Sequence, residues 1–295
     1  MGVTQVGIIG CGTMGIGIAQ LVLQKGYNVI IKEINQELLN KGLNGINKGL
    51  EKLCEKGKLK AEEKEHLLKQ LKGTTNYSDL KECDVIIEAV FEDLKVKTEV
   101  FASLDEVCKK DAIFASNTSS LPISKLAACT SRKDKCIGLH FFNPVAVMPL
   151  VEVIKTIVTD NKVIQTVTDF VKSLGKIPIL AKDNAGFIVN LLLTPYLLDA
   201  IRAVEKGVAS IEDIDTAMKL GCNHPMGPLM LADLIGLDVL YNSTLIFFEE
   251  YKERRFASPP LLTKMVTLGF LGKKTGRGFY DWSDPNNVKP SNLEI

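Results

Sequence analysis

Histidine is scarce in this chain, with three in 295 residues, at positions 66, 140 and 224. Any chemistry that needs an imidazole must use one of them. Seven cysteines are present, an odd number, widely scattered and without a Cys-x-x-Cys pair. That spacing argues against a zinc site or a disulfide framework, so no metal and reduced thiols in a cytoplasmic protein are expected. An excess of either charge is also missing. Lys and Arg number 36 against 35 Asp and Glu, a formal net charge of +1, so no global basic surplus points to nucleic acid. No apolar run is long enough to span a bilayer. The opening Met-Gly-Val-Thr-Gln carries neither the basic segment nor the cleavage site of a signal peptide, so no membrane association is expected. Repeats and low-complexity segments are missing too. With 46% hydrophobic and 24% charged residues, the chain is able to bury one large core or two.

What is present begins at the start. An apolar run, Val6-Gly7-Ile8-Ile9, leads into Gly10-Cys11-Gly12-Thr13-Met14-Gly15 and then a helical pattern. Strand, Gly-x-Gly-x-x-Gly turn and helix in that order form a dinucleotide fingerprint. Gly10 permits the tight turn, Gly12 lets backbone approach a pyrophosphate, and Gly15 lets helix and strand lie close. The helix N-terminus then offers N–H groups and a positive dipole end to phosphate. A second apolar run, Asn28-Val29-Ile30-Ile31, ends at Lys32-Glu33. An acid at about this distance past the turn takes the ribose hydroxyls and repels a 2′-phosphate, favouring NAD over NADP. A solvated strand-end charge is the other reading of Glu33.

Residues 3 to about 182 read as alternating strands and helices, with strands predicted at 5–9, 28–32, 85–89, 112–116, 136–140 and 150–154. The pattern predicts an α/β, Rossmann-type doubly wound sheet, parallel at its core. A helical hairpin is predicted over about 36–72. Leu38, Leu39, Leu43, Ile46, Leu50 and Leu53 mark its first helix, Lys56-Gly57-Lys58 a break, and Leu67, Leu68 and Leu71 its second helix. After Lys182-Asp183-Asn184-Ala185-Gly186 strand signals stop. Helices are predicted at 188–205, 211–220 and 237–254, the second opened by a Ser210-x-x-Asp213 cap. The domains expected are therefore 1–184, binding dinucleotide, and 185–295, all-helical, with apolar residues suited either to a core or to dimerisation.

The three histidines differ in setting. His66 follows Lys64-Glu65 in a charged helix and reads as a surface residue. His224, in Gly-Cys-Asn-His-Pro, reads as structural. His140 ends the strand Ile137-Gly138-Leu139-His140, and ligands of open α/β sheets bind outside the carboxyl ends of strands. An imidazole there suits proton transfer at a hydroxyl that loses hydride, although a satisfied core histidine fits the position equally well. Glu152 interrupts the apolar Leu150-Val151-Glu152-Val153-Ile154, and a buried carboxylate needs a partner. Either it meets His140 and fixes the imidazole, or it faces solvent from an edge strand. Ser116-Asn117-Thr118-Ser119-Ser120 also follows an apolar run. It is an ordinary polar turn or a source of hydrogen bonds to substrate and ribose.

Several longer stretches are more specific. Ser-Asn-Thr-Ser-Ser-Leu at 116–121, Gly-Leu-His-Phe-Phe-Asn-Pro at 138–144, Leu-Val-Glu-Val at 150–153, Gly-Phe-Ile-Val-Asn at 186–190, Asn-His-Pro-Met-Gly-Pro at 223–228 and Gly-Phe-Tyr at 278–280 resemble the 3-hydroxyacyl-CoA dehydrogenase family over nearly the whole chain. The likeness is strongest to its compact bacterial 3-hydroxybutyryl-CoA members. The resemblance implies an NAD-binding domain, a helical dimerisation domain giving a homodimer, and an (S)-3-hydroxyacyl-CoA substrate in butyrate or other short-chain fatty-acid metabolism. It implies His140 as acid/base, Glu152 as its orienting carboxylate, and Ser119 and Asn190 as hydrogen-bond partners of the substrate. Its cofactor set here is Gly10, Gly12, Thr13, Met14, Gly15, Glu33, Ala89, Glu92, Lys97, Asn117, Asn143 and Lys274.

The hairpin gains a role from this likeness. Residues 36–72 hold nine lysines against six acids, an excess of three positive charges facing an anionic coenzyme A. Lys52 and Lys56 match positions that contact CoA phosphates. Two stretches depart from the family pattern: Asn184-Ala185 where Pro commonly precedes Gly-Phe, and Phe256-Ala257-Ser258 where Tyr-Arg-Pro is common. Two rival readings stand beside this one: a free hydroxy-acid dehydrogenase, and a non-catalytic NAD-binding module. The basic hairpin weighs against the first, and the joint presence of His140, Glu152, Ser119 and Asn190 against the second.

Overall fold

Alternating apolar runs in the first two thirds of the chain become a single twisted sheet. The computed structural model describes residues 2–293, and the chain divides into two units after Phe187. In the first unit the order is β1 (Gln5–Ile9), α1 (Thr13–Gln24), β2 (Asn28–Lys32), α2 (Gln36–Glu55), α3 (Ala61–Lys69), β3 (Leu71–Thr74), β4 (Val85–Glu88), α4 (Leu94–Val107), β5 (Ile113–Ser116), α5 (Ile123–Ala127), β6 (Cys136–Phe141), β7 (Leu150–Lys155), α6 (Asn161–Ser173) and β8 (Ile177–Lys182). The sheet runs β3-β2-β1-β4-β5-β6-β7-β8. Every pairing is parallel except β6 with β7.

Period-two alternation sends side chains to two cores. Val85, Ile87, Ile113, Ala115, Ile137 and Leu139 join residues of α1, α2 and α6 on one face. Ile86 and Phe114 join Val100, Phe101 and Leu104 of α4 on the other. Each fully buried Ile, Leu or Phe contributes roughly 1.5–3 kcal/mol by leaving water.

Two strands of this sheet fall outside the sequence expectation. Leu71, assigned above to the second hairpin helix, instead starts β3, so the helical hairpin ends at Lys69. β8 was not expected either. Its sequence includes Pro178, and Ile177, Ile179 and Leu180 are exposed, as an edge strand allows. The hairpin helices themselves form where predicted. Asn35 caps α2 by accepting from the Leu38 N–H at 2.9 Å.

The second unit contains α7 (Val189–Glu205), α8 (Ile211–Cys222), α9 (Pro228–Ile235), α10 (Leu237–Tyr251) and α11 (Pro260–Thr267), followed by a two-stranded ribbon, Tyr280–Asp281 with Lys289–Pro290. Its core joins Leu197, Leu198, Ile201, Leu229, Leu237 and Leu262. Ser210 caps α8, accepting from the Asp213 N–H at 3.1 Å. Two buried aspartates tie this unit together. Asp215 accepts from the N–H groups of Leu229 and Met230 at the start of α9 and from the Tyr280 hydroxyl at 2.8 Å. Asp233 accepts from Phe279 N, Tyr280 N and the Trp282 indole. Full satisfaction is what lets such carboxylates stay inside. The Phe256 that departs from the family pattern is buried against Phe247 and Tyr251. Among the described residues no single helix is long and apolar enough to cross a membrane, and no group of three or more His, Cys, Asp or Glu suits a metal ion.

Candidate active site

The carboxyl ends of β1, β2 and β4 open into a cleft of about 710 Å³, lined among others by Gly10, Gly12, Thr13, Met14, Glu33 and Ala89. The three glycines are held there for different reasons. Gly10 has φ +101°, and a Cβ on it would lie 2.7 Å from the Ala89 carbonyl oxygen. A Cβ on Gly15 would lie 1.9 Å from the Gly10 oxygen, so this glycine seats α1 on the turn. A Cβ on Gly12 would meet nothing within 4 Å. It would fill cleft space instead, the space a pyrophosphate needs. Gly12 also precedes α1 without any side-chain cap, leaving the helix N-terminus to a ligand. The residues present therefore fit a dinucleotide. Glu33 closes the turn: its carboxylate accepts from the Cys11 N–H at 3.0 Å and from the Ile34 N–H. Lys32 beside it lies in the same cleft with its ammonium 3.9 Å from the Tyr77 ring centroid. Burial lowers its pKa, against the opposing pull of Glu33.

Further along the strand ends lies the histidine. β6 and β7 are antiparallel, and their register sets His140 directly opposite Glu152. Both side chains point away from the α1–α2–α6 face, whose core takes their neighbours Leu139, Phe141, Val151 and Val153. The cross-strand position brings Nδ1 of His140 within 2.7 Å of Glu152 Oε2, with His140 5% and Glu152 0% exposed. Of the two expectations for Glu152, the structure thus has the buried one. A carboxylate can only accept, so it accepts a hydrogen bond from the Nδ1–H and leaves Nε2 for a ligand. Phe142 and Phe187 flank the ring, with centroids 4.4 and 5.7 Å away.

Between the glycine turn and His140, β4 and β5 end side by side in an ionic cluster, buried at Glu88 and Lys97 and partly exposed at Glu92. Lys97, 1% exposed, donates to Glu88 at 2.7 Å and lies 3.1 Å from Glu92. Glu88 also accepts from Ser116 Oγ at 2.6 Å and the Val90 N–H at 2.7 Å. Glu92 gathers the Thr118 hydroxyl, the Ser119 N–H at 3.1 Å and the Ser120 hydroxyl at 2.9 Å. Burial opposes its ionisation, but Lys97 and these hydroxyls outweigh burial and hold the carboxyl below the usual range. Lys97 and Glu92, expected at the cofactor, are thus bonded to each other and to the Ser116–Ser120 loop. Asn117 ties that loop to β6 by accepting from the Phe141 N–H at 2.9 Å. Asn143 is exposed on the β6–β7 connection, where the bond to Pro144 is cis. Lys176 anchors this connection by donating to the Val145 and Met148 carbonyls at 2.6 and 2.8 Å.

The remaining predicted residues stand on other elements. Lys52 is exposed in the last turn of α2, and Lys56, also exposed, follows as its C-cap. Asn190 is the second residue of α7 in the second unit. Lys274, in that unit as well, pairs with Asp238. His66 is exposed, and His224 hydrogen-bonds the Tyr196 hydroxyl at 3.0 Å. Sequence reasoning missed Glu88, Lys176 and the burial of Lys32. Glu88 lacks the signal that singled out Glu152: it ends Val85-Ile86-Ile87-Glu88, where a charge ordinarily meets water, whereas Glu152 interrupts an apolar strand.

A doubly wound sheet with a glycine turn under one cleft and a buried His–Glu pair at the strand ends defines a nucleotide-binding oxidoreductase. Comparison with known proteins narrows the class. Residues 5–184 match the family model of the 3-hydroxyacyl-CoA dehydrogenase NAD-binding domain, and residues 186–282 that of the 3-hydroxyacyl-CoA dehydrogenase C-terminal domain. The chain belongs to the 3-hydroxyacyl-CoA dehydrogenase family, NAD-dependent oxidoreductases. It is 48% identical over 282 residues to a 3-hydroxybutyryl-CoA dehydrogenase of Mycobacterium tuberculosis, covering 95% of this chain and 99% of that one. A 3-hydroxybutyryl-CoA dehydrogenase of Clostridioides difficile is 47% identical over 276 residues, with 94% and 98% covered. The crystal structure of (S)-3-hydroxybutyryl-CoA dehydrogenase from Ralstonia eutropha superposes with a TM-score of 0.92 at 44% identity, covering 96% of this chain and all of that one.

Proposed function

We propose that this chain interconverts acetoacetyl-CoA and (S)-3-hydroxybutyryl-CoA. The observation that carries the reading is the buried His140–Glu152 pair, standing on the same sheet as the glycine-turn cleft. Held at the Gly10–Gly15 turn, NAD+ would supply the acceptor for the C3 hydride and its electron pair in the oxidative direction. Nε2 of His140 removes the hydroxyl proton, and the oxygen's electrons close the ketone. Glu152, bonded to Nδ1, orients the ring and balances the imidazolium that forms. In reduction the imidazolium returns the proton, and a hydrogen bond from the Ser119 hydroxyl steadies charge developing on the C3 oxygen. Asn190 is assigned the substrate's thioester region, and Lys52 and Lys56 the CoA phosphates. Asn117, Asn143 and Lys274 are assigned to the cofactor.

Seven free thiols suit a reducing cytoplasm. Exposed apolar side chains of the second unit, Val239, Leu245 and Phe248 on α10 among them, suit a homodimer. The pathway assigned is short-chain fatty-acid metabolism of the butyrate type. The test follows loss of NADH absorbance with acetoacetyl-CoA, beside free acetoacetate and beside NADPH. Rapid turnover with only the CoA ester and NADH is expected. Tight NADH binding without turnover of the ester would replace this reading with a free hydroxy acid or a non-catalytic role.

A further inference from the structure

The cluster at the ends of β4 and β5 carries an unbalanced charge. Two carboxylates, Glu88 and Glu92, share a single ammonium, Lys97. Both also accept from neutral donors: the Val90 N–H and Ser116 hydroxyl give to Glu88, and the Thr118 and Ser120 hydroxyls and the Ser119 N–H to Glu92. Two carboxylates against one ammonium give the cluster a formal charge of one negative unit. Glu88 is fully buried and Lys97 nearly so, whereas the Glu92 side chain is 33% exposed.

Its place in the sheet gives it a use. β1 carries the glycine turn and β6 carries His140, with β4 and β5 between them. Three strand spacings separate the turn from the histidine, roughly 14 Å. A dinucleotide with its phosphates at the turn must bring its reacting ring toward His140, and so past the ends of β4 and β5. That ring is cationic in NAD+ and neutral in NADH.

We propose that the Glu88–Lys97–Glu92 cluster is an electrostatic poise, favouring NAD+ over NADH through its net negative charge, with Glu88 as a positioning residue that acts through Lys97 and does not touch the cofactor. By linkage, the factor by which the cluster favours NAD+ is the factor by which it favours oxidation of the bound cofactor. The inference rests on the NAD-dependent reading of the cleft.

The test is nucleotide binding without substrate. NADH is titrated by its fluorescence and NAD+ by competition with NADH, for the wild type, Glu88→Gln and Ser116→Ala. Glu88→Gln keeps the side chain's size and removes one negative charge. Coulomb attraction across roughly 10 Å of protein predicts about a tenfold weaker NAD+ affinity, with NADH changed less than twofold. Ser116→Ala leaves every charge in place, so it should leave the NAD+ to NADH ratio unchanged. An equal effect of Glu88→Gln on both nucleotides, or none, would overturn the poise and reduce Glu88 to a structural role. If Glu88→Gln does not fold, Glu92→Gln removes the same unit of charge and is judged by the same ratio. A wild type that binds neither nucleotide overturns the underlying NAD reading as well.

Discussion

Replacing Glu152 by glutamine separates the chemistry of the His–Glu pair from its packing. The two side chains have nearly the same volume, and the site is 0% exposed, so the core around it stays filled. The glutamine oxygen can still accept a hydrogen bond from the Nδ1–H, so the ring keeps its orientation. What disappears is the negative charge that balances an imidazolium 2.7 Å away at the nearest atoms. With charge centres about 4 Å apart and an effective dielectric near 20, that attraction is worth about 4 kcal/mol. At about 1.4 kcal/mol per tenfold in rate, a loss of roughly 10²–10³ in kcat is expected, allowing for relaxation. The assay is NADH oxidation with saturating acetoacetyl-CoA, with NADH affinity measured separately by fluorescence. NADH affinity should stay within twofold, because its reacting ring is neutral and its phosphates belong at the glycine-turn cleft of β1, β2 and β4. A kcat within threefold of wild type would refute the assignment of Glu152 to the chemistry and leave it a core carboxylate.

Three further outcomes follow from particular contacts. Gly12→Ala should leave the urea midpoint unchanged, since its Cβ meets nothing within 4 Å, yet weaken NADH at least tenfold; Gly15→Ala, with a Cβ 1.9 Å from the Gly10 oxygen, should lose about 2–4 kcal/mol of stability in the same titration. Asp84 is held down from 3.8 to about 2: burial raises it, but the Lys109 ammonium and the Thr4 and Gln5 N–H groups outweigh burial. Its folded value lies below its unfolded one, so it stabilises the fold above pH 4 and the contribution is lost as pH falls toward 2. Asp84→Asn should therefore cost about 1–2 kcal/mol in urea unfolding at pH 7, allowing for partial exposure, and almost nothing at pH 2. Lys52→Ala combined with Lys56→Ala should raise the KM for acetoacetyl-CoA several-fold at low salt and less at high salt, with kcat kept; a salt-independent, unchanged KM would remove the hairpin from CoA binding.

The sheet was legible wherever a strand is buried on both faces. Val85-Ile86-Ile87 and Cys136-Ile137-Gly138-Leu139 feed two cores at once, so they are continuously apolar and their ends were predicted to within a residue. The strands that escaped prediction are the two edges. Leu71-Lys72-Gly73-Thr74 has one neighbour in the sheet and a leucine in helical phase with Leu67 and Leu68, so local pattern assigned it to the preceding helix and pairing with β2 overrode that. Ile177-Pro178-Ile179 contains a proline that a central strand would exclude and an edge strand admits.

The same physics sorts the site. A lone acid in an apolar strand is costly, which is why Glu152 stood out before its partner was known. The identity of that partner depends on β6 and β7 running antiparallel in a register that sets 140 against 152, and no local pattern carries a register. Glu88 sits at the last position of its strand, where a charge ordinarily meets water, so its burial is invisible until α4 folds Lys97 down onto it. Lys97 itself lies in a helix already rich in charge, and nothing within four residues distinguishes it from the exposed Lys95. Isolated charges in apolar surroundings announce themselves in a sequence, whereas charges that become buried only by meeting each other do not. The Glu88–Lys97–Glu92 cluster belongs to the second kind, and reading it took the packing of α4 against the ends of β4 and β5.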